Sequence, residues 1–204
     1  MEFSEVVRKR RMVRNYDPSR RVARSVLTEL LELAIRAPSA GFSQGWHFLV
    51  LETPEDRASF WTASSGEPDA EPDPWLRDMQ SAPALIIAMS DKKAYLDRYA
   101  APDKGWTDRD EAHWPVPYWD IDTGMASLLI LLGAVDRGLA SCFFGVPAER
   151  QEHVKQAFGV PGRLSLVGVL SLGYPAPDRR SPSLKRGRRP VTEVASFGRM
   201  QPET

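Results

Sequence analysis

The chain has 204 residues, of which 42% are hydrophobic and 26% are charged, and its formal net charge at pH 7 is zero. These values are typical of a soluble globular protein of one domain, long enough to bury a core without disulfides. The neutral balance gives no argument for binding nucleic acid or a membrane surface. No stretch resembles a signal peptide or reaches the apolar length needed to cross a bilayer, and the single cysteine is typical of a reducing compartment. We therefore expect a cytoplasmic protein with one domain over residues 1–204.

Apolar periodicity predicts two helices at the N-terminus. The first is short and carries Phe3, Val6 and Val7 on one face. The second repeats apolar residues through residues 26–35, with Ser25 as its N-cap. Pro38 should end this helix, because a proline disfavours the helical conformation of the residue before it.

Further along the chain, short apolar runs alternate with helical patterns. The helices at 53–63 and 147–159 each have a proline in the first turn. The pattern predicts a central sheet of roughly four or five strands surrounded by helices, either α+β or α/β. Strands are expected over residues 47–52, 84–90, 139–145 and 164–173, and helices over 53–63, 75–82, 122–138 and 147–159.

Two regions do not fit this core. Residues 64–74 are acidic and proline-rich and predict an exposed loop. Residues 95–120 are irregular and rich in aromatic side chains, so we interpret them as an insertion. The tail from about residue 176 to 204 is rich in proline and arginine and has no core of its own.

Known catalytic motifs are absent from the sequence. It contains no G-x-S-x-G elbow, no H-E-x-x-H, no Walker A loop and no G-x-G-x-x-G fingerprint. The three histidines lie far apart and away from acidic clusters, so no metal site is expected. If the protein is an enzyme, its chemistry therefore comes from a cofactor.

Basic residues concentrate in two segments that are distant in sequence. Residues 8–24 hold eight basic side chains against one acid, and residues 179–189 hold six against none. They form either two solvated faces or one site for an anion such as a phosphate. A phosphorylated cofactor with a flat ring would use arginines for the phosphate and aromatic side chains for the ring.

Five motifs resemble the FMN-dependent nitroreductase family. They are "RKRRMVRNY" (8–16), "APSAGFSQGWHF" (37–48), "GMASLLILLGAVDRGLASCFFG" (124–145), "FGVPGRLSLVGVLSLGYP" (158–175) and "KRGRRPVTEV" (185–194). Each is weak alone, but all five occur in family order and cover nearly the whole chain. The resemblance implies an α+β fold with a mixed or antiparallel sheet, forming an intertwined homodimer with FMN at the interface. It also implies transfer of reducing equivalents from NAD(P)H through FMN to a nitroaromatic, quinone or related acceptor.

The resemblance assigns roles to individual positions. The opening arginines and the tail arginines meet the flavin phosphate, and the loop after the second helix faces the partner's flavin. Arg189 could replace either tail arginine. A basic residue meets the pyrimidine edge, and backbone N–H groups approach flavin N5 and O4. The aromatic insertion caps the substrate. The residues concerned are Arg10, Arg11, Met12, Arg14, Pro38, Ser39, Ala40, Phe42, Arg77, Phe144, Gly145, Val146, Arg186 and Arg188 for the cofactor, and Trp106, Trp114, Tyr118 and Trp119 for the cap.

Most of these positions also have a purely structural interpretation. The other basic residues of the first segment, Arg8, Lys9, Arg20, Arg21 and Arg24, are interpreted as solvated charge. Pro38 can be a simple helix stop, Arg77 a surface arginine and Gly145 an ordinary turn. The aromatic insertion can be the packing of a long loop, and Cys142 a small buried hydrophobe. Within the loop, we expect Gln44 and Trp46 to fix the backbone to the core.

Three departures from the family pattern bear on the reaction. Met12 replaces a serine, Phe42 replaces an asparagine that bonds the flavin edge, and Gly45 replaces a proline. The resulting G-F-S-Q pattern resembles a branch that includes the flavin destructase making dimethylbenzimidazole, which consumes reduced FMN with oxygen. The alternatives to an oxidoreductase are therefore a flavin-fragmenting synthase, a non-catalytic flavin-binding protein, and an α+β domain without flavin.

Overall fold

A four-stranded antiparallel sheet lies at the centre of the computed structural model, which describes residues 1–65, 73–179 and 181–200. The strand order is β1-β2-β4-β3, so the two longest strands are central. The strands are β1 (Trp46–Leu51), β2 (Ala84–Asp91), β3 (Ala140–Phe144) and β4 (Leu164–Gly173). The four predicted strands are therefore confirmed, and all of their pairings are antiparallel rather than mixed. The predicted loop at 64–74 lies largely outside the described residues, as do Arg180 and residues 201–204.

Eight helices surround the sheet in the described part of the chain. They are α1 (Phe3–Lys9), α2 (Arg24–Ala34), α3 (Pro54–Ser64), α4 (Pro74–Gln80), α5 (Lys92–Tyr99), α6 (Tyr118–Asp136), α7 (Gln151–Ala157) and α8 (Val191–Val194). Short 3-10 turns lie at Ala40–Phe42, Glu111–His113, Ala148–Arg150 and Pro182–Arg186. The predicted α+β class is confirmed.

Side-chain alternation along the strands divides the core into two layers. On β2, where every residue is buried, Leu85 and Ile87 face a layer formed with α3, α4 and α7. Ala84 and Ile86 face the opposite layer, which contains α2 and α6. Burial on both faces explains why β2 is a continuous apolar run and not an alternating one.

Several predicted helix boundaries are wrong. Helix α2 begins at Arg24 after Ala23, without a side-chain cap, so Ser25 lies inside the helix. It ends at Ala34, before the constraint imposed by Pro38. Pro147 precedes the 3-10 turn at Ala148–Arg150, and α7 starts only at Gln151. In α1, Val6 is buried but Phe3 is 73% exposed, so the three apolar residues do not share a buried face.

The insertion is more regular than the sequence predicts. Helix α5 occupies its first residues, and Tyr118 and Trp119 form the first turn of α6. Helix α6 is 19 residues long, with a mean hydropathy of 1.2 over an 18-residue window, half of which is buried. By length and composition alone, α6 could span a membrane. This corrects the expectation that no segment reaches the apolar length needed to cross a bilayer. A helix packed inside a core meets the same criterion, and α6 packs on all four strands.

Candidate functional site

The N-terminal segment and the start of the tail run beside each other at the edge of the sheet. Val13 N–H donates to the Ser141 carbonyl of β3 at 3.0 Å, and Asp17 N–H donates to the Tyr174 carbonyl at 2.9 Å. Ala176 N–H donates to the Asn15 carbonyl at 3.2 Å. These backbone bonds bring the two basic segments together from opposite ends of the chain.

Tyr16 fixes the N-terminal segment to the sheet from inside the core. The side chain is 1% exposed, and its hydroxyl donates to the Val13 carbonyl at 2.6 Å. It also shares a hydrogen bond with Ser171 Oγ of β4 at 2.7 Å. Burial raises the pKa of the Tyr16 hydroxyl, so it remains protonated and available as a donor.

A cavity of about 220 Å³ lies where the two basic segments meet. Met12 and Leu184 are its apolar lining residues, and four arginines and one aspartate are its charged ones. Its lining residues are Arg10, Arg11, Met12, Arg14, Asp178, Ser181, Leu184 and Arg188. Of the two interpretations of the basic segments, the structure supports convergence on one site.

The arginines of this cavity are not fully paired within the protein. Arg10 Nη1 is buried and has no hydrogen-bond partner among the described residues. Arg14 Nη1 donates to the Met12 carbonyl at 3.3 Å, and Arg14 N–H donates to Asp178 Oδ1 at 3.3 Å. A buried guanidinium N–H without a partner is costly, and a bound anion would satisfy it. The residues present therefore fit a phosphate group.

The three arginines at 186, 188 and 189 differ in whether they line this cavity. Arg188 lines the cavity, whereas Arg186 ends the Pro182–Arg186 turn and is exposed outside it. Arg189 Nε donates to Glu193 Oε2 at 3.2 Å within the tail. Of Arg186, Arg188 and Arg189, Arg188 is thus the one that lines this cavity together with the opening arginines.

A second cavity, of about 320 Å³, adjoins the first through shared residues. Arg14, Asp178 and Ser181 line both cavities. The second extends to Trp75 on α4 and to Arg179. The two cavities together form a groove with a cationic end and an end bounded by an indole ring.

The loop at residues 38–45 lies away from this groove and carries unusual backbone angles. Gly41, Phe42 and Gln44 have φ angles of 61°, 56° and 50°, in the left-handed region that favours glycine. The Phe42 side chain is 74% exposed. Trp46 is buried as expected, but the expectation that the Gln44 side chain fixes the loop to the core is wrong, because Gln44 is exposed.

The model of the nitroreductase family matches residues 7–174 of this chain. The chain belongs to the nitroreductase family. It is 28% identical over 180 residues to an Archaeoglobus fulgidus protein provisionally named NADH dehydrogenase/NAD(P)H nitroreductase, a match that covers 87% of this chain and 88% of that protein.

Solved structures agree with this assignment. A nitroreductase family protein from Clostridium difficile 630 superposes with a TM-score of 0.72 and 25% identity, covering 98% of this chain and all of the other. A protein from Exiguobacterium sibiricum, solved in complex with FMN, superposes with a TM-score of 0.72 at 24% identity, and the match covers 97% of both chains. The latter similarity concerns the fold.

Other positions singled out by the nitroreductase resemblance lie outside the groove. Phe144 stacks on Trp61 of α3, with ring centroids 5.7 Å apart and planes at 9°, and contacts Trp75 edge-on. Val146 is buried in the core, and a Cβ atom at Gly145 would meet no neighbour. Arg77 is exposed on α4. Among the described residues, neither these four positions nor the loop at 38–42 lines the two cavities.

The aromatic insertion packs mainly on itself and on α5. Trp114 is its centre, with ring contacts to Tyr95, Tyr99, Trp106, Tyr118 and Trp119. Within one chain these side chains form a packed cluster and do not reach the arginine-lined cavity. Their role as a substrate cap in this nitroreductase remains a prediction.

Sequence reasoning missed three polar residues that shape these regions. Asp178 and Ser181 line both cavities, and Asp122 contacts the loop at 38–45. The sequence offers only weak signals for the two acids: Asp178 directly precedes the basic segment at 179–189, and Asp122 lies one turn into an apolar helix. Cys142 is 2% exposed, which confirms its assignment as a buried hydrophobe. The described residues contain no group of three or more His, Cys, Asp or Glu side chains that could hold a metal ion.

Proposed function

We propose that this protein is an FMN-dependent oxidoreductase that takes reducing equivalents from NAD(P)H and passes them to a nitroaromatic, quinone or related small acceptor. The observation that carries the proposal is the unpaired, buried Arg10 Nη1 in a cavity lined by arginines from both ends of the chain. Family membership and the names of its relatives support the reaction type. Its compartment would be the cytoplasm, consistent with a free, buried cysteine.

The arginine-lined cavity would hold the phosphate of FMN. Guanidinium groups pair with phosphate through short, charge-assisted hydrogen bonds, and several of them can share its oxygens. Arg10, Arg11, Arg14 and Arg188 would supply these donors, and Asp178 would hold Arg14 in place through its backbone. FMN bound there would supply the hydride and electron transfer.

FMN titration of single variants tests the phosphate assignment. Each charge-assisted contact contributes about 1.5–3 kcal/mol, so Arg10→Ala and Arg188→Ala should each weaken FMN binding about ten- to hundredfold. Arg189→Ala is the matched control, because Arg189 lies next to Arg188 but pairs with Glu193. Fluorescence quenching of added FMN gives the dissociation constants. Equal affinity of all three variants and the parent would refute the assignment.

Steady-state turnover separates the oxidoreductase from the alternatives. NADH and NADPH should be oxidised when a nitroaromatic or quinone is added, with the flavin spectrum recovered at the end. Tight FMN binding without turnover would instead indicate a storage protein. Progressive loss of the flavin absorbance under reductant and oxygen, with a benzimidazole product, would indicate a flavin-fragmenting synthase.

We also propose a homodimer formed along α6. Ile121, Met125 and Leu128 follow one another on one side of this helix and are 43%, 36% and 46% exposed. The tail adds further exposed apolar side chains, namely Leu184, Val191, Val194 and Phe197. Exposed apolar side chains that follow one side of a helix are typical of an interface, as are those of a tail without its own core. A second copy of the chain offers the same surfaces in return.

Light scattering tests the dimer. Leu128→Glu places a charge on the exposed side of α6 and should shift the protein toward the monomer. Ala58→Glu on α3, in the opposite core layer, is a matched control that should leave the mass unchanged. A parent protein that is monomeric while holding FMN would contradict the proposal.

A further inference from the structure

A buried carboxyl group on α6 connects three separate parts of the chain. Asp122 is 2% exposed, and its Oδ2 accepts a hydrogen bond from Ala40 N–H at 2.8 Å. The same oxygen accepts from the Tyr95 hydroxyl at 2.8 Å. No lysine, arginine or histidine side chain of the described residues lies within ion-pair distance of Asp122. A buried acid without a cation is costly, so its two donors are what stabilises it there.

The segment that Asp122 contacts is strained. Phe42 and Gln44 are non-glycine residues with φ angles of 56° and 50°. Such conformations cost on the order of 1–2 kcal/mol each and persist only where neighbouring contacts impose them. Two further hydrogen bonds stabilise this segment. Arg98 Nε donates to the Gly41 carbonyl at 3.0 Å, and Gln44 N–H donates to Ser39 Oγ at 3.0 Å.

Tyr95 joins this segment to the aromatic insertion. A Cβ atom at Gly45 would lie only 2.5 Å from Tyr95 Cε2, so the ring packs directly on the backbone of the loop. The other side of the ring contacts Trp114 and Trp119 edge-on, with centroids 5.9 and 6.3 Å away. The insertion therefore touches the loop through the buried Tyr95 at Gly45, and through Arg98 and Tyr99 at Gly41.

We propose that Asp122 and Tyr95 are positioning residues that hold residues 39–45 in the strained conformation required at the flavin, and that Tyr95 is the residue that connects the aromatic insertion to Asp122. The inference rests on the proposed function as an FMN-binding homodimer, and on the expectation from the family resemblance that this loop faces the flavin of the partner subunit. Asp122 fixes the loop at Ala40, and Tyr95 fixes Asp122 and supports Gly45. Neither residue touches the arginine-lined cavity of its own chain.

Four variants of the full-length protein test the proposal. Asp122→Ala removes the acceptor from both donors, whereas Asp122→Asn retains an acceptor for Ala40 N–H and can donate to the Tyr95 oxygen. Tyr95→Phe removes only the hydroxyl. Tyr99→Phe is the matched control, because Tyr99 lies one turn further along α5 and its hydroxyl has no hydrogen-bond partner among the described residues.

Two measurements are made on each variant, at a temperature where circular dichroism shows it folded. Hydrogen exchange of the peptide containing residues 39–45, without flavin, reports on the loop itself. Fluorescence titration reports on FMN affinity. Losing a hydrogen bond to a charged or buried partner should speed exchange and weaken FMN binding about tenfold or more in Asp122→Ala, with a smaller change in Tyr95→Phe. Asp122→Asn and Tyr99→Phe should resemble the parent.

The outcomes separate this proposal from the proposed function. Unchanged loop exchange in folded Asp122→Ala would overturn the positioning role. Faster exchange with unchanged FMN affinity would show that the loop conformation held by Asp122 does not matter for flavin binding. The proposed function would then stand, but the proposal about Asp122 would not. A parent protein that does not bind FMN would refute the proposed function. The exchange data would still test whether Asp122 and Tyr95 restrain residues 39–45. If Asp122→Ala does not fold, Tyr95→Phe against Tyr99→Phe decides, and equal exchange in these two would overturn the proposal.

Discussion

The hydroxyl of Tyr16 should contribute measurably to stability, because it connects the arginine-bearing segment to the centre of the sheet. Tyr16→Phe removes one oxygen and retains the buried ring. Two short hydrogen bonds disappear, at 2.6 Å to the Val13 carbonyl and at 2.7 Å to Ser171 Oγ. Ser171 Oγ lies 3.4 Å from the Cys142 carbonyl and keeps that acceptor. The Val13 carbonyl loses the Tyr16 donor inside the core.

The expected loss follows from these contacts. A net hydrogen bond is worth about 1 kcal/mol, and a buried group left without its partner costs about 1–3 kcal/mol. Tyr16→Phe should therefore lower the free energy of unfolding by about 2–3 kcal/mol. Ser171→Ala should cost less, and the double variant should show a coupling of about 1 kcal/mol, because the two side chains share one hydrogen bond.

Urea unfolding at fixed protein concentration measures these differences, since the stability of a dimer depends on concentration. Tyr174→Phe is the control: Tyr174 directly follows β4, and its hydroxyl has no hydrogen-bond partner among the described residues. A loss below about 0.5 kcal/mol for Tyr16→Phe, or the same loss in the control, would refute this account of how the segment is anchored.

Three further predictions concern backbone space, the buried thiol and strain. Gly45→Ala should cost about 2 kcal/mol or more in urea unfolding, because its Cβ would lie 2.5 Å from Tyr95 Cε2, while Gly162→Ala, with no neighbour within 4 Å, should stay within about 0.5 kcal/mol of the parent. Burial raises the pKa of the Cys142 thiol, so a thiol reagent at pH 8 should react only after unfolding in urea; rapid labelling of folded protein would contradict this. Phe42→Asn should raise the free energy of unfolding by up to about 1 kcal/mol, because asparagine tolerates a left-handed backbone and little buried surface is lost. A lower urea midpoint would show that this reasoning is wrong.

Periodicity predicted the sheet because burial in this fold follows the sequence pattern closely. The residues of β2 are buried on both faces, and a continuous apolar run of strand length records that burial directly. Helix ends were harder to predict, because local signals competed. Ser25 has the chemistry of an N-cap, but the N-cap is Ala23, two residues earlier and without a side-chain cap, where tertiary packing decides the boundary. The insertion was misjudged for a similar reason, since α5 has little apolar periodicity of its own.

The site was only partly predictable. Local clustering of charge indicated the opening arginines, and the resemblance brought Arg188 to them, which the cavity supports. The carboxylates of Asp178 and Asp122 gave no comparable signal. Each acts through a backbone N–H group, of Arg14 and Ala40 respectively, that is distant in sequence. Such contacts depend on where loops pass one another, and no spacing rule within one segment records that.

Two buried tyrosines each connect an irregular segment of the proposed site to a regular element of the fold. The residues expected to meet the cofactor lie on irregular segments, whose positions the sheet does not determine. Tyr16 connects the arginine segment to β4 through its hydrogen bond with Ser171. Tyr95 donates to Asp122 of α6, which in turn accepts from Ala40 N–H of the loop at 38–45. Burial raises the pKa of both hydroxyls, so both remain protonated and can donate hydrogen bonds at neutral pH. The geometry of the site therefore depends on a few side-chain hydrogen bonds, and those bonds are the places where a conservative substitution should alter flavin binding without touching the flavin.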